Sequence, residues 1–192
     1  MGRIVVTEFV SLDGVMEDPG GSESFKHGGW SFAIDRGQGT TFKLEETMAT
    51  DALLLGRVTY EGFAEAWPSR DGEFADKFNS MPKYVVSSTL HDPEWNNSTV
   101  LKGDLTTNVS KLKQQYAGDI VVHGSARLVQ ALLEHDLVDE LRLMTFPVVL
   151  GSGKRLFGEM TDKKRVQLVG TRTVGDDVLI LTYQRPDSTE SS

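Results

Sequence analysis

The sequence predicts an α/β protein: a mixed, mostly parallel central sheet flanked by helices, with a C-terminal antiparallel hairpin. Three observations predict it. β-Branched runs alternate with helix-period stretches, an arrangement that builds parallel strands into one sheet. Ala52-Leu53-Leu54-Leu55 and Ile120-Val121-Val122 are unbroken apolar runs, as strands covered on both faces are. The last two strong runs flank Val174-Gly175-Asp176-Asp177, a turn with glycine and aspartates where positive φ is needed.

In chain order, strands are expected over 4–10, 52–55, 84–87, 98–101, 120–122, 141–149, 166–173 and 178–184, from β-branched enrichment with turn residues at the ends. Helices are expected between the earlier ones, over 41–49, 59–66, 109–116 and 125–135. The last carries Leu128, Val129, Leu132 and Leu133 as an amphipathic stripe. Segments 18–29 and 65–82 are rich in Gly, Pro and polar residues and read as long loops. Neither a repeat nor an internal boundary appears. The expectation is one domain over 1–185 with a disordered polar tail, 186–192.

The 192 residues are 39% hydrophobic and 25% charged, ordinary for a soluble domain able to bury its own core. With no cysteine, disulfides, thiolate metal sites and cysteine nucleophiles are excluded. The formal charge is −8 and the longest basic cluster is Lys163-Lys164-Arg165, which argues against nucleic acid or an anionic membrane as partner. The N-terminus lacks the apolar core of a signal peptide and no run approaches a membrane span. A cytoplasmic protein is expected.

Two stretches share one plan. "DALLLGRVTYEGF" and "DIVVHGSARLVQALL" each run from apolar strand through glycine into a helix, with an arginine beside the turn. The first turn of a helix carries unpaired N–H groups and partial positive charge, which suit phosphate oxygens. Glycine permits close approach, Thr59 or Ser125 supplies a hydroxyl, and Arg57 or Arg127 adds a planar cation. Gly plus Ser or Thr is also an ordinary helix cap. The arginine at both turns favours a ligand with several phosphates lying across the sheet edge.

Other motifs are less specific. Ser87, Ser88 and Thr89 end one strand and fit either a ribose phosphate or simple termination by local hydrogen bonds. "VVLGSGKRLFGE" is neither a P-loop nor a dinucleotide fingerprint; it reads as a flexible turn or as a wall beside a ligand. His27, His91, His123 and His135 lack metal-ligand spacing, so no metal is expected. His123 sits at a strand end before a candidate phosphate turn, where a structural role is favoured over a site-lining one. Asp13 in "VSLDG" is either a ligand contact or a turn aspartate.

The segments "VTEFVSLDG", "LLLGRVTYEGF", "YVVSSTL", "VVHGSARLVQALLEHDLVDELRL" and "PVVLGSGKRLF" resemble, in order, the dihydrofolate reductase-like superfamily. They are most similar to the reductase domain of the bifunctional riboflavin-biosynthesis deaminase–reductase. The resemblance implies NADPH bound across the carboxyl ends of the strands. It assigns Gly56, Arg57 and Thr59 to one phosphate turn and Ser87, Ser88 and Thr89 to the adenosine side. Gly124, Ser125, Ala126, Arg127 and Leu128 would hold the diphosphate, and Val15 and Met16 would pack on the nicotinamide.

Two departures bear on the substrate. Dihydrofolate reductases carry a carboxylate on the helix before the strand of the first turn. About four helical turns before Gly56 this chain has Thr40, with Asp35, Glu45 and Glu46 nearby. Riboflavin-pathway reductases carry a lysine shortly before "SLDG" and a TV-x-x-D-x-P stretch after the glycine-arginine turn; here the sequence reads Thr7-Glu8 and VTYEGFAEAWP. The expectation is a stand-alone NADPH-dependent reductase of a small pteridine- or pyrimidine-type heterocycle. Asp13 would be the polar contact or proton donor and Trp30 a stacking wall for substrate. The alternative is an NADP(H)-binding sensor of the same fold without reductase activity; a flavin-bound reductase is a third option. The resemblance and the apolar 141–150 region point to a homodimer.

Overall fold

The computed structural model describes residues 1–186; the expected tail falls outside them beyond residue 186. Eight strands form one sheet: β1 (Arg3–Ser11), β2 (Thr50–Gly56), β3 (Lys83–Val86), β4 (Ser98–Leu101), β5 (Asp119–Val122), β6 (Glu140–Phe146), β7 (Gln167–Val174) and β8 (Val178–Gln184). Their order across the sheet is β4-β3-β2-β5-β1-β6-β8-β7. Pairings from β4 through β6 are parallel, and β8 pairs antiparallel with both β6 and β7. The sequence-derived fold class is therefore observed.

Five helices cover the sheet: α1 (Gly39–Met48), α2 (Arg57–Ala66), α3 (Glu73–Ser80), α4 (Leu105–Gln115) and α5 (Ala126–Glu134). Strand alternation sorts side chains between two faces. Ala52 and Leu54 join the cluster built from Val109 and Leu112 of α4 and Leu128, Val129, Leu132 and Leu133 of α5. Leu53 and Leu55 join Tyr60, Phe78 and Trp95 on the opposite face. That is why β2 is apolar at every interior position. A third cluster, with Trp30, Met144, Phe146, Val174, Val178 and Ile180, fills the hairpin end.

Three elements differ from expectation. Helix α3 lies inside the expected loop 65–82, because Ala75 and Phe78 bury against the aromatic cluster; the flanking Gly72 and Pro82 hide so short a helix in the sequence. Strand β6 stops at Phe146 rather than 149, since its ladder with β8 ends at Thr145↔Leu179. The carbonyl of Val148 instead accepts the N–H of Leu12. Helix α4 starts at Leu105, four residues early, capped by the Asp104 carboxylate on the Thr107 N–H at 2.7 Å.

Candidate functional site

Strands β2 and β5 are neighbours, so the two glycine turns stand side by side at their carboxyl ends. They are also bonded to each other. The Gly56 N–H donates to Ser125 Oγ at 2.9 Å, and the Ser125 N–H donates to Thr59 Oγ1 at 2.9 Å. Ser125 Oγ donates onward to the His123 carbonyl at 3.1 Å, so both its lone pair and its proton are used. Thr59 is different. Its oxygen accepts while its own proton has no acceptor among the described residues.

Backbone geometry explains the glycine at this junction. Gly124 has φ +56°, and a Cβ there would sit 2.9 Å from Thr59 Oγ1. A side chain would meet both backbone strain and a hydroxyl that the turn needs. Ser125 is itself left-handed (φ 58°, ψ 47°) and makes no side-chain cap to α5. Helix α2 has no side-chain cap either. The first-turn N–H groups of two adjacent helices are thus left to an external acceptor, the donor set that an anion requires.

Arg57 is the first residue of α2, and its exposed side chain holds the carboxylate of Glu61, one turn on, at 2.8 Å. Arg127 is exposed on the first turn of α5. Ala126 and Leu128 flank it, the latter buried. Ser87 Oγ accepts the N–H groups of Thr89 and Leu90 at 3.1 and 3.0 Å, which terminates β3 locally. Ser88 and Thr89 stay exposed.

Beside the turns, Val15 and Met16 are buried after β1. The "VVLGSGKRLF" segment lies against them: Val15 bridges Arg155, and the Met16 N–H donates to the Lys154 carbonyl at 2.9 Å. The segment is a wall, not a free turn. Asp13 fastens it. Its carboxylate accepts from Ser11 Oγ (2.7 Å), the Leu150 N–H (3.0 Å) and the Gly151 N–H (2.9 Å). The Ser11 hydroxyl and these backbone donors hold its pKa down at about 2.

Asp13 therefore orients this loop. Trp30 is 6% exposed, stands edge-on to Phe146 and donates its indole N–H to the Glu17 carbonyl, packed in the cluster at the hairpin end.

Under α1 lies a buried polar group that the sequence reading did not assemble. Thr7 donates to Glu46 at 3.0 Å, Lys43 reaches both Thr7 Oγ1 and Glu46 (2.8 Å to the latter), and Arg142 meets Glu46 at 3.3 Å. Burial raises the Glu46 pKa, but the net shift is downward, with the Lys43 and Arg142 cations opposing burial. His123, beside Phe63 and Phe78, is held at about 3 by burial and then by Lys43, so it is neutral. On the other face of β1, Glu8 is buried with Oε1 unpartnered. Burial pushes its pKa well up, against the lowering by Lys43 and the Gly124 N–H.

Helix α1 thus places a carboxylate, Glu46, and an amino group, Lys43, beside the Thr7 hydroxyl. A Lys-x-x-Glu pair at helical spacing beside a strand threonine was the only signal. Two recesses lie elsewhere, of about 30 Å³ beside Leu133 and Tyr183 and about 670 Å³ beside Ala64, Asn79 and Trp95. Neither contains a turn residue. Among the described residues no group of three His, Asp or Glu is placed to hold a metal, and no helix is long and apolar enough to cross a membrane.

Residues 3–180 match the family model described as the RibD C-terminal domain. The chain belongs to the RibD C-terminal domain family. The uncharacterized protein YyaP of Bacillus subtilis (strain 168) is 30% identical over 186 residues, covering 94% of both chains. A putative riboflavin biosynthesis protein from Shewanella sp. PV-4 superposes with TM-score 0.76 at 23% identity, over 96% of this chain and 99% of that one. Dihydrofolate reductase from Enterococcus faecalis, complexed with NADP(H), superposes with TM-score 0.61 at 16% identity, over 96% and 97%. At such identities the solved structures show a shared fold and no more. The interlocked turns, Asp13 and the α1 polar group are read from this chain's own residues.

Proposed function

We propose that this RibD C-terminal domain protein is an NADPH-dependent reductase of a small pteridine- or pyrimidine-type heterocycle. One observation carries the reading. Two uncapped helix starts, at Arg57 and Ala126, are held side by side by the Gly56–Ser125–Thr59 hydrogen bonds. A dinucleotide diphosphate matches that donor set in charge and in number of acceptors. The backbone N–H groups of residues 57–59 and 126–128 would hold phosphate oxygens, with the Thr59 hydroxyl, Arg57 and Arg127 around them. Ser87, Ser88 and Thr89 would border the adenosine, and Val15 and Met16 would pack on the nicotinamide. NADPH supplies the hydride when bound; the protein's part is to bind, orient and exclude water.

The substrate side is assigned to the α1 face of β1. There Thr7, Lys43 and Glu46 offer donors and an acceptor suited to the edge of a nitrogen heterocycle, and neutral His123 borders them. Glu46 and Lys43 count against the sensor alternative, which drew its force from the apparent lack of a carboxylate and a lysine. A homodimer is part of the proposal and is open to sedimentation equilibrium.

The test is NADPH oxidation with a panel of pterins, folates and ribosylaminopyrimidines, alongside calorimetric NADPH titration. Turnover on a panel member supports the reductase. Saturable NADPH binding with no turnover on any member gives the sensor instead.

A further inference from the structure

Cations buried in this protein are matched. Arg142 meets Glu46, Glu140 and Asp119. Lys83 donates to the carbonyls of Asn79, Met81 and Asn96 at 2.8–2.9 Å. Lys43 has Glu46 and Thr7. Arg36 is the exception.

It lies half-buried just before α1, and among the described residues its guanidinium has no hydrogen bond or ion pair. Asp35, next in the chain, turns away: its Oδ1 accepts the Gly37 N–H at 2.8 Å. Among the described residues, the contacts of the Arg36 cation are aromatic. It stands 5.5 Å from the Phe9 ring centroid and 5.1 Å from that of Phe32. Cation–π contact recovers only part of the hydration lost by a half-buried guanidinium whose five donors meet no protein acceptor among the described residues. Burial accordingly lowers its pKa, though it stays charged.

The surroundings set the place and the ligand chemistry. Lys43 stands on the same Phe9 ring, at 5.4 Å, so Arg36 borders the polar group under α1. Because Glu46 neutralises Lys43, the uncompensated positive charge of this face lies at Arg36. Phe32 beside it is 66% exposed, so its ring is accessible to a ligand. A flat arginine fork with one exposed aromatic face suits a planar carboxylate on or near a ring. A phosphate dianion would call for a second free cation.

We propose that Arg36 and Phe32 form a subsite for the carboxylate of a planar heterocyclic substrate, at the outer edge of the α1 face. Arg36 binds the carboxylate and Phe32 packs against the ring or the atoms that join it to the carboxylate. The inference deepens the reductase reading and rests on its assignment of the substrate face.

The test is equilibrium binding of two probe pairs to the full chain, without NADPH and with it: pterin-6-carboxylate against 6-methylpterin, and orotate against 6-methyluracil. In at least one pair the carboxylate should bind about tenfold more tightly, the scale of one charge-assisted contact. Arg36→Met should abolish that preference and Arg36→Lys should restore part of it. Phe32→Ala, at an exposed position, should weaken both members of the pair. Equal binding within both pairs, or a preference that survives Arg36→Met, overturns the subsite. NADPH affinity is measured in the same series. Loss of NADPH binding with the carboxylate preference intact would overturn the reductase reading and leave the subsite standing.

Discussion

Ser125 and Gly56, 69 residues apart, are joined where β5 and β2 end: the Gly56 N–H donates to Ser125 Oγ at 2.9 Å. This contact, with the Ser125–Thr59 bond, makes two separate helix starts into one surface. Ser125→Ala leaves the Gly56 N–H without its acceptor and should cost about 1–2 kcal/mol of stability. NADPH affinity should fall several-fold, because the two turns lose their shared spacing. Denaturant unfolding and calorimetry on the same variant check both effects. Unchanged values would mean the contact is incidental.

Arg57 is paired with Glu61. An exposed helical pair of this kind contributes only about 0.3–0.5 kcal/mol, so a phosphate can take the guanidinium from it. Arg57→Ala should weaken NADPH binding by about 1.5–3 kcal/mol with little effect on folding. Glu61→Gln should leave NADPH affinity unchanged or tighten it. An unaltered affinity in Arg57→Ala would make Arg57 a surface charge.

Asp13 holds the Leu150 and Gly151 N–H groups, and its pKa of about 2 lies below the ordinary 3.8. Its contribution to stability is present above the ordinary value and is lost as pH falls through about 2. Asp13→Asn should loosen the loop against Val15 and Met16 and raise the KM for NADPH. It should leave the pH dependence of kcat above pH 5 unchanged, since Asp13 does not titrate there. A pH profile that loses an ionisation in Asp13→Asn would restore it as an acid.

Glu8 shifts the opposite way, above its ordinary 4.5. The folded state then holds the Glu8 proton more tightly than the unfolded chain does. Its contribution to stability is full below about pH 4.5 and declines as pH rises to the folded pKa. Glu8→Gln stays neutral throughout, so its stability relative to the native protein should grow from acid to neutral pH. Denaturant unfolding over a pH series reads this directly, and a constant difference would contradict it.

Much of the fold was legible because each β-run declared itself. Ala52–Leu55 and Ile120–Val122 are apolar at every position, and Asp176-Asp177 marks the hairpin. Helix α3 was not legible: its few buried side chains count only once Trp95 and Tyr60 are beside them. The glycine turns could be found because glycine, hydroxyl and arginine lie within a few residues. The α1 polar group could not. Thr7, the Lys43–Glu46 pair, His123 and Arg142 come from β1, from α1, from the turn after β5 and from β6, and only Lys43 and Glu46 are related by local spacing. The partners of Asp13 and Trp30 were illegible for a related reason: a residue type shows what a side chain can do, while the fold sets what it meets. Asp13 met two backbone N–H groups and Trp30 met Phe146.

The central claim is that the Gly56–Thr59 and Gly124–Leu128 turns together hold the phosphates of NADPH. Calorimetric titration of NADPH into the native protein and into Gly124→Ala tests it most directly. Alanine at φ +56° would drive its Cβ toward Thr59 Oγ1. Saturable 1:1 binding by the native protein, and at least tenfold weaker binding by a folded Gly124→Ala, is the predicted result. Absence of NADPH binding to the native protein, or equal affinity in the two, would contradict the account.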